Sequence, residues 1–453
     1  MKVIADLQIH SRFSRAVSEK MRLPVISKWA KKKGIGLIAT GDWTHPIWFR
    51  ELRANLIQVS EGVYEYRQDK LAKTSKIADE EPKTKFLLST EVSSIYSQGG
   101  KTRRIHTLIF APTIQVVERI NKQLSSQGAN LLSDGRPIMG LSAKVVAEIA
   151  LTVDERCLII PSHAWTPWFS LYGSMSGFDS IDECFGDLSD NIYAVETGLS
   201  SDPAMNWRIE ELENRSIISS SDAHSPQKLG REATVFELPQ VNYKNIRSAI
   251  MGESINNQQS TANKSRIAHT IEFYPEEGKY HYTGHRRCKV VYSPKEAKKM
   301  GIICPVCNKK LTVGVMSRVE SLAGSDVETE SETDEYGVRW IRKSQSIRPP
   351  YVMLVPLMEI ISEAEGVGVG TKKVEEIYEQ LISLFGSEFN VLLKTPIEEF
   401  EILSKPKIID GIKRVRLGDI MIKPGHDGVF GDVRIWKEEE IPIEVRVDQT
   451  TLF

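Results

Sequence analysis

The first 255 residues alternate short, continuously apolar runs with amphipathic stretches, and this alternation constrains the fold more than any other feature of the chain. Val3-Ile4-Ala5, Gly36 to Thr40, Phe86-Leu87-Leu88, Arg104 to Phe110, Cys157 to Ile160, Ile192 to Val195 and Ile217-Ile218-Ser219 read as buried strands. Pro24 to Lys33, Ile114 to Gln127 and Ala143 to Ala150 read as helices between them. Uninterrupted apolar strands separated by helices predict an α/β fold with a parallel sheet or barrel, in which functional residues collect at the carboxyl ends of strands. His10, Asp42, His45, Glu91, His106, His163, Glu196, Asp222 and His224 fall at such ends.

That collection of imidazoles and carboxylates points to a divalent-metal phosphoesterase. Neutral imidazole and carboxylate bind zinc or manganese, a bridging carboxylate holds two ions together, and the ions activate water and neutralise phosphate oxygens. His10, His106, His163 and His224 each follow an apolar run, and Asp222-Ala223-His224 has the spacing of a two-ligand strand end.

At 453 residues the chain exceeds one ordinary core, and length alone predicts about three domains. The expected division is a phosphoesterase domain at 1–255, a polar linker at 256–270, a compact module at 271–316, an acidic connector at 317–348, a helical region at 349–404 and a short β-rich segment at 405–453. No apolar run approaches the roughly 20 residues of a spanning helix, and Met1-Lys2 leads straight into a strand-like run instead of a signal peptide. A cytoplasmic protein without membrane contact, expected to be a monomer, follows. Net charge is −1, but residues 1–50 carry ten Lys or Arg against three acids, which allows a local basic surface. Cys157 and Cys184 read as plain buried thiols. His285-x2-Cys288-x15-Cys304-x2-Cys307 has the spacing of a closed, structural zinc site in a small ribbon, with His281 as the alternative histidine.

Asp6-x-x-x-His10-Ser11, Thr40-Gly41-Asp42, Thr90-Glu91, His106, His163 and Asp222-Ala223-His224 resemble the successive motifs of the polymerase-and-histidinol-phosphatase (PHP) superfamily. Arg12-Phe13-Ser14-Arg15-Ala16, Thr40 to Pro46, Glu196 to Pro203, Gly284-His285-x-x-Cys288 and Cys304-Pro305-x-Cys307 narrow this: the chain is similar to endonuclease Q over nearly its whole length. The resemblance implies a distorted (β/α)7 PHP-type barrel followed by a zinc ribbon and a C-terminal helical and β region. It implies an enzyme that nicks duplex DNA 5′ to deaminated bases (uracil, hypoxanthine, xanthine) or abasic sites. Two or three divalent ions (Zn, Mn or Mg) are implied in the active site, beside one structural zinc. Position 8, His10, Glu91 and Asp222 would surround the first metal. Glu91 would bridge to a second held by His106 and His163, and His224 with His45 or Asp42 would serve a third; His10, Glu91, Asp222 and His224 are the catalytic set. The family pattern is His-x-His where this chain has Gln8-Ile9-His10, and an amide oxygen is a weaker ligand than imidazole.

Lesion recognition requires exposing the base, and stacking on aromatics offsets the cost. Trp43, Trp165 and Trp168 are the candidates, with rim packing as the alternative; Arg12, Arg15 and Lys228 are candidate phosphate contacts. Ile360 to Phe385, with its Gly366-Val367-Gly368-Val369-Gly370 turn, resembles a DNA-binding helix-hairpin-helix. Gln449, Leu452 and Phe453 in the last five residues resemble a sliding-clamp-binding peptide. Two rival readings are a PHP phosphatase acting on a small phosphate monoester, and a DNA-binding protein whose metal site is impaired at Gln8.

Overall fold

A computed structural model describes residues 1–67, 84–252 and 265–437. It is a mixed α/β structure built around one large sheet of ten strands. Their order is Thr329–Thr333, Arg339–Lys343, Tyr351–Met353, Arg266–Glu272, Ala233–Glu237, Lys2–Asp6, Leu37–Ala39, Lys85–Leu87, Val63–Tyr66 and Leu56–Ser60. Lys2–Asp6 runs parallel to Leu37–Ala39, with Ala5 opposite Leu37, and Leu37–Ala39 runs parallel to Lys85–Leu87. On its other side Lys2–Asp6 is antiparallel to Ala233–Glu237.

One residue beyond Lys85–Leu87 the chain enters a second sheet, ordered Ile138–Met139, Ser89–Gln98, Lys101–Phe110 and Leu158–Pro161. Ala194–Glu196 and Ser216–Ile218 form a further parallel pair. Where both faces are covered these strands are apolar, and alternate residues go to opposite sides. Leu37, Leu87, Leu108, Phe110 and Ile160 join one buried cluster, covered by the helix Tyr243–Met251, and Ile38, Phe86, Ile109 and Ile159 join the larger one. The helix Leu23–Lys33 buries Leu23, Ile26 and Ala30 and stops at Gly34, whose φ of 87° takes the left-handed conformation that ends helices.

Two expected boundaries change. The polar run Asn256 to Lys264 lies wholly within 253–264, outside the described residues, but Arg266 to Thr270, expected to end the linker at 256–270, belong to a central strand, Arg266–Glu272; it buries Ile267, Ile271 and Glu272 between two neighbours. The expected connector at 317–348 carries the end of the helix Val315–Leu322 and a β-hairpin that extends the ten-stranded sheet. Asp334 closes that hairpin: its carboxylate accepts from the amides of Tyr336 and Val338 and from Trp340 Nε1, while Glu330 and Glu332 face solvent.

The module at 271–316 holds the hairpin Thr283–His285/Val290–Tyr292 and the helix Pro294–Met300. The C-terminal part packs the helices Leu357–Glu365, Lys372–Phe385, Glu388–Leu393 and Pro406–Leu417. The last of these falls where β structure was expected, because Ile408, Ile412 and Val415 form one buried helical face. A short hairpin, Met421–Lys423/Asp432–Arg434, follows as expected. The turn between these strands docks on the 271–316 module, where Asp427 accepts from Arg286 N and Thr312 Oγ1. No helix among the described residues is long and apolar enough to cross a membrane.

Candidate active site

The site begins where Lys2–Asp6 ends. The Asp6 carboxylate is fully buried and accepts hydrogen bonds from Ser221 N (3.0 Å), Ser221 Oγ (2.6 Å) and Gly230 N (2.9 Å). Those bonds fasten the segment after Ser216–Ile218 to the first strand. One turn of the pleat later Ile9 bridges Ala223, and His10 N donates to Ala223 O. His10 thereby meets Asp222 and His224 across more than 210 positions of sequence.

His10 is held from behind. Its Nδ1 lies 2.9 Å from Asp42 Oδ1, and Asp42 Oδ2 accepts from Ser11 N, Ser11 Oγ and Ser14 Oγ. A carboxylate on one ring nitrogen fixes the tautomer and aims the other, the arrangement that supports a metal-ligating histidine. The aimed atom, Nε2, is 3.1 Å from Asp222 Oδ1 and 3.3 Å from Glu91 Oε2, and it is buried with no hydrogen-bond partner.

Glu91 divides the site. Its Oε2 faces His10; its Oε1 lies 3.3 Å from His106 Nδ1 and 3.2 Å from His163 Nε2. Two ligand clusters result, His10–Asp222–His224 and Glu91–His106–His163, each with donor atoms within 4.8 Å of one another. Imidazole nitrogens and carboxylate oxygens converging on shared points, one nitrogen an orphan, fit divalent cations. Asp42, His163 and Asp222 have φ of 49°, 30° and 47°. Non-glycine residues held there are strained, and such strain collects at functional sites.

The electrostatics are those of a tightly coupled array. Burial opposes the Glu91 charge, yet His106, Arg136 and His10 hold its carboxyl well below the usual range. Burial likewise opposes Asp222, and the close approach of His10 brings it down to about 2. His10 is pushed well above its ordinary value: Asp42, Asp222 and Glu91 outweigh its burial. Burial lowers His106 to about 4 and raises Glu196 to about 8. Glu196 Oε2 accepts from His163 N at 2.9 Å, and its Oε1 has no partner.

Several expected participants stand elsewhere. Asp42 contacts His10 and the serines instead of His224, and His45 caps the helix Pro46–Asn55 and stacks on Phe13 at 4.4 Å, so neither joins the His224 cluster. Gln8 is present at the centre: its Nε2 donates to Glu91 Oε1 at 3.0 Å. Trp43 and Trp165 are fully buried, and Trp165 stacks on Tyr172 while its Nε1 donates to Asn206 Oδ1. An indole with no exposed face cannot receive a base, so these two are core residues. Trp168 is half-buried against Tyr280. Arg12 pairs with Glu51, Lys228 with Glu359 at 2.5 Å, and Arg15 is exposed. The clamp-like residues Gln449, Leu452 and Phe453 lie outside the described residues.

One participant was not anticipated. Arg136 Nη1 donates to Glu91 Oε2 at 2.8 Å. Its only sequence signal is an Asp134-Gly135-Arg136-Pro137 turn, and the fold gives Gly135 its reason: a Cβ there would lie 2.4 Å from Asp42 Oδ2 and Ser14 Oγ.

In the 271–316 module, His285, Cys288, Cys304 and Cys307 bring their ligand atoms within 4.8 Å of one another. Cys307 Sγ is 3.4 Å from His285 Nδ1, whereas His281 is buried against Tyr282, which decides between the two histidines.

Comparison with known proteins places this geometry. The crystal structure of the lesion-specific endonuclease PfuEndoQ from Pyrococcus furiosus superposes with a TM-score of 0.77 at 33% identity, covering 98% of both chains. The chain belongs to the endonuclease Q family. A second endonuclease Q structure, in complex with a 27-mer duplex carrying an abasic lesion at the active site, gives a TM-score of 0.78 at 34% identity over 98% of this chain and 99% of that one. Protein YqxK of Bacillus subtilis is 26% identical across 96% of this family member and 99% of its own length. Protein MJ0043 of Methanocaldococcus jannaschii is 34% identical over 297 residues, 62% of this chain but 33% of that protein, so the match spans a third of that relative's length. Residues 356–419, which hold the four C-terminal helices, match the MJ0043 C-terminal domain family.

Proposed function

We propose that this endonuclease Q family member is a metal-dependent phosphodiesterase that nicks duplex DNA 5′ to deaminated bases and abasic sites. The observation that carries the reading is Glu91 between two ligand clusters, in a chain that matches a lesion-specific endonuclease from end to end. Duplex DNA as partner and the abasic site as substrate rest on the relative solved with that duplex; uracil, hypoxanthine and xanthine rest on the sequence resemblance.

His10, Asp222 and His224 would hold one divalent ion and Glu91, His106 and His163 another, with zinc, manganese or magnesium as candidates. Bound there, such ions supply Lewis acidity toward phosphate oxygens and a water acidic enough to attack at neutral pH. The chain's own residues do the placing. Asp42 aims His10, Asp6 fixes the segment of Asp222, and Glu196 holds the strained His163 by its amide.

The strand ends Lys2–Asp6, Leu37–Ala39, Lys85–Leu87 with Ser89–Gln98, Lys101–Phe110, Leu158–Pro161, Ala194–Glu196 and Ser216–Ile218 make seven arcs of a distorted PHP barrel in this reading. The Ile9–Ala223 bridge and the Asp6 hydrogen bonds join the last arc to the first. The cysteine cluster is a structural zinc ribbon, and the glycine-rich turn between Leu357–Glu365 and Lys372–Phe385 offers amides to a DNA phosphate. A monomeric, cytoplasmic enzyme whose last residues bind a sliding clamp completes the reading.

The test is a labelled duplex with one uracil, hypoxanthine or abasic site, incubated with manganese, magnesium or zinc. A nick 5′ to the lesion that Glu91→Gln abolishes is expected. Phosphate release from small monoesters without nicking, or binding without cutting, refutes the proposal.

A further inference from the structure

The two oxygens of Glu91 are already engaged by donors of this chain. Oε2, the oxygen that faces His10 and Asp222, accepts from Arg136 Nη1 at 2.8 Å. Oε1 accepts from Gln8 Nε2 at 3.0 Å, and the same amide lies 3.5 Å from Asp222 Oδ1. The guanidinium therefore brings a permanent positive charge to the His10-facing oxygen of the one carboxylate that could bridge the two clusters, while the Gln8 amide reaches the other oxygen and Asp222. Arg136 is mostly buried, with 24% of its side chain exposed, and Glu91 is 1% exposed. At 2.8 Å in such a setting the pair is a charge-assisted hydrogen bond, stronger than a surface ion pair. Arginine keeps its charge at any pH the protein survives.

We infer that Arg136 is a resident cation that stands in for a divalent ion on the His10 side of Glu91, with Gln8 as its companion. Resting on the metal-dependent reading above, this gives the two clusters unequal roles. Glu91–His106–His163 is the tight ion site. On the other side His10, Asp222 and His224 keep their ligand atoms, but the Glu91 oxygen facing them is held by Arg136 and no imidazole stands at position 8. A second ion there has fewer ligands and faces a fixed like charge, so it binds weakly or waits for a substrate phosphate to draw Arg136 away.

Manganese binding to the full chain, stripped of ions at the catalytic clusters and followed by calorimetry and by the free-ion electron paramagnetic resonance signal, tests this without reference to activity. One tight ion is expected in the native chain. Arg136→Gln, Gln8→His and the double variant are expected to gain a second tight ion, with affinity at that step rising on the order of 10- to 100-fold, the usual weight of residues supporting a metal site. Arg136→Lys, which keeps the charge, is expected to resemble the native chain. Equal ion number and affinity in the native chain and the double variant, or a fall in affinity in Arg136→Gln, overturns the inference. If Arg136→Gln fails to fold, Gln8→His carries the test alone. A native chain that binds one ion yet never nicks a lesion duplex refutes the proposed function and leaves this inference standing, whereas nicking with two equally tight ions does the reverse.

Discussion

Removing Asp6 separates the frame of the site from its ligands. The carboxylate touches no candidate ion position, yet it satisfies two backbone amides and one hydroxyl on the segment that carries Asp222 and His224. In Asp6→Ala the Ser221 hydroxyl can rotate to another acceptor, but the Ser221 and Gly230 amides cannot. Each unsatisfied buried donor costs about 1–3 kcal/mol, so the local loss is roughly 4 kcal/mol. Asp6→Asn keeps one acceptor oxygen and turns an NH2 toward the remaining donors, for a loss of about 2 kcal/mol on the same scale.

The pH dependence has a definite sign. Burial raises the Asp6 pKa from its ordinary 3.8 to about 6, against the hydrogen bonds that lower it. A carboxyl whose folded pKa lies above its unfolded value gives stability that is complete below pH 4 and is lost as pH rises through 6. The gap between native and Asp6→Ala is therefore wider at pH 5 than at pH 8. Hydrogen exchange at the Ser221 and Gly230 amides measures it: 4 kcal/mol corresponds to opening about 1,000-fold more frequent in the variant. Exchange accelerated less than tenfold, or a gap that widens with pH, would refute the reasoning.

Two other outcomes follow from burial. Glu272 is wholly enclosed, with its pKa raised to about 8, and Oε2 has no partner while Ser219 Oγ donates to Oε1. Stability from this group is present below about pH 4.5 and declines as pH rises toward 8; Glu272→Gln is expected to flatten the fall in melting temperature across that window, and an unchanged slope counts against it. Trp165→Ala should cost about 3–5 kcal/mol as a core truncation and lower nicking at uracil, hypoxanthine and abasic sites alike. A stable variant with selective loss at one lesion would restore Trp165 as a base-contacting residue.

That His10, Glu91, His163 and Asp222 come together was legible because each follows an apolar run, so that strand period and residue type point the same way. Arg136 was not, since it lies in a turn without periodicity, and its meaning depends on a carboxylate 45 positions away. The tryptophans misled for a related reason: a loop beside a ligand reads as a rim, and sequence does not reveal that Trp43 and Trp165 turn inward. The hairpin at 329–343 was hidden by its composition. Counting acids predicts a solvated connector, whereas Asp334 closing the turn and Trp340 packed against His269 decide the structure.

The Ile9–Ala223 bridge also sets a timetable for the newborn protein. His10 is synthesised 214 positions before His224 and can meet that partner only after it has followed. At about 5–20 residues per second that delay is roughly 10–40 seconds. Glu91, His106 and His163 are complete within 73 positions of one another. A chain that ends before Asp222 can thus hold the residues of one cluster, Glu91–His106–His163, and not those of the other.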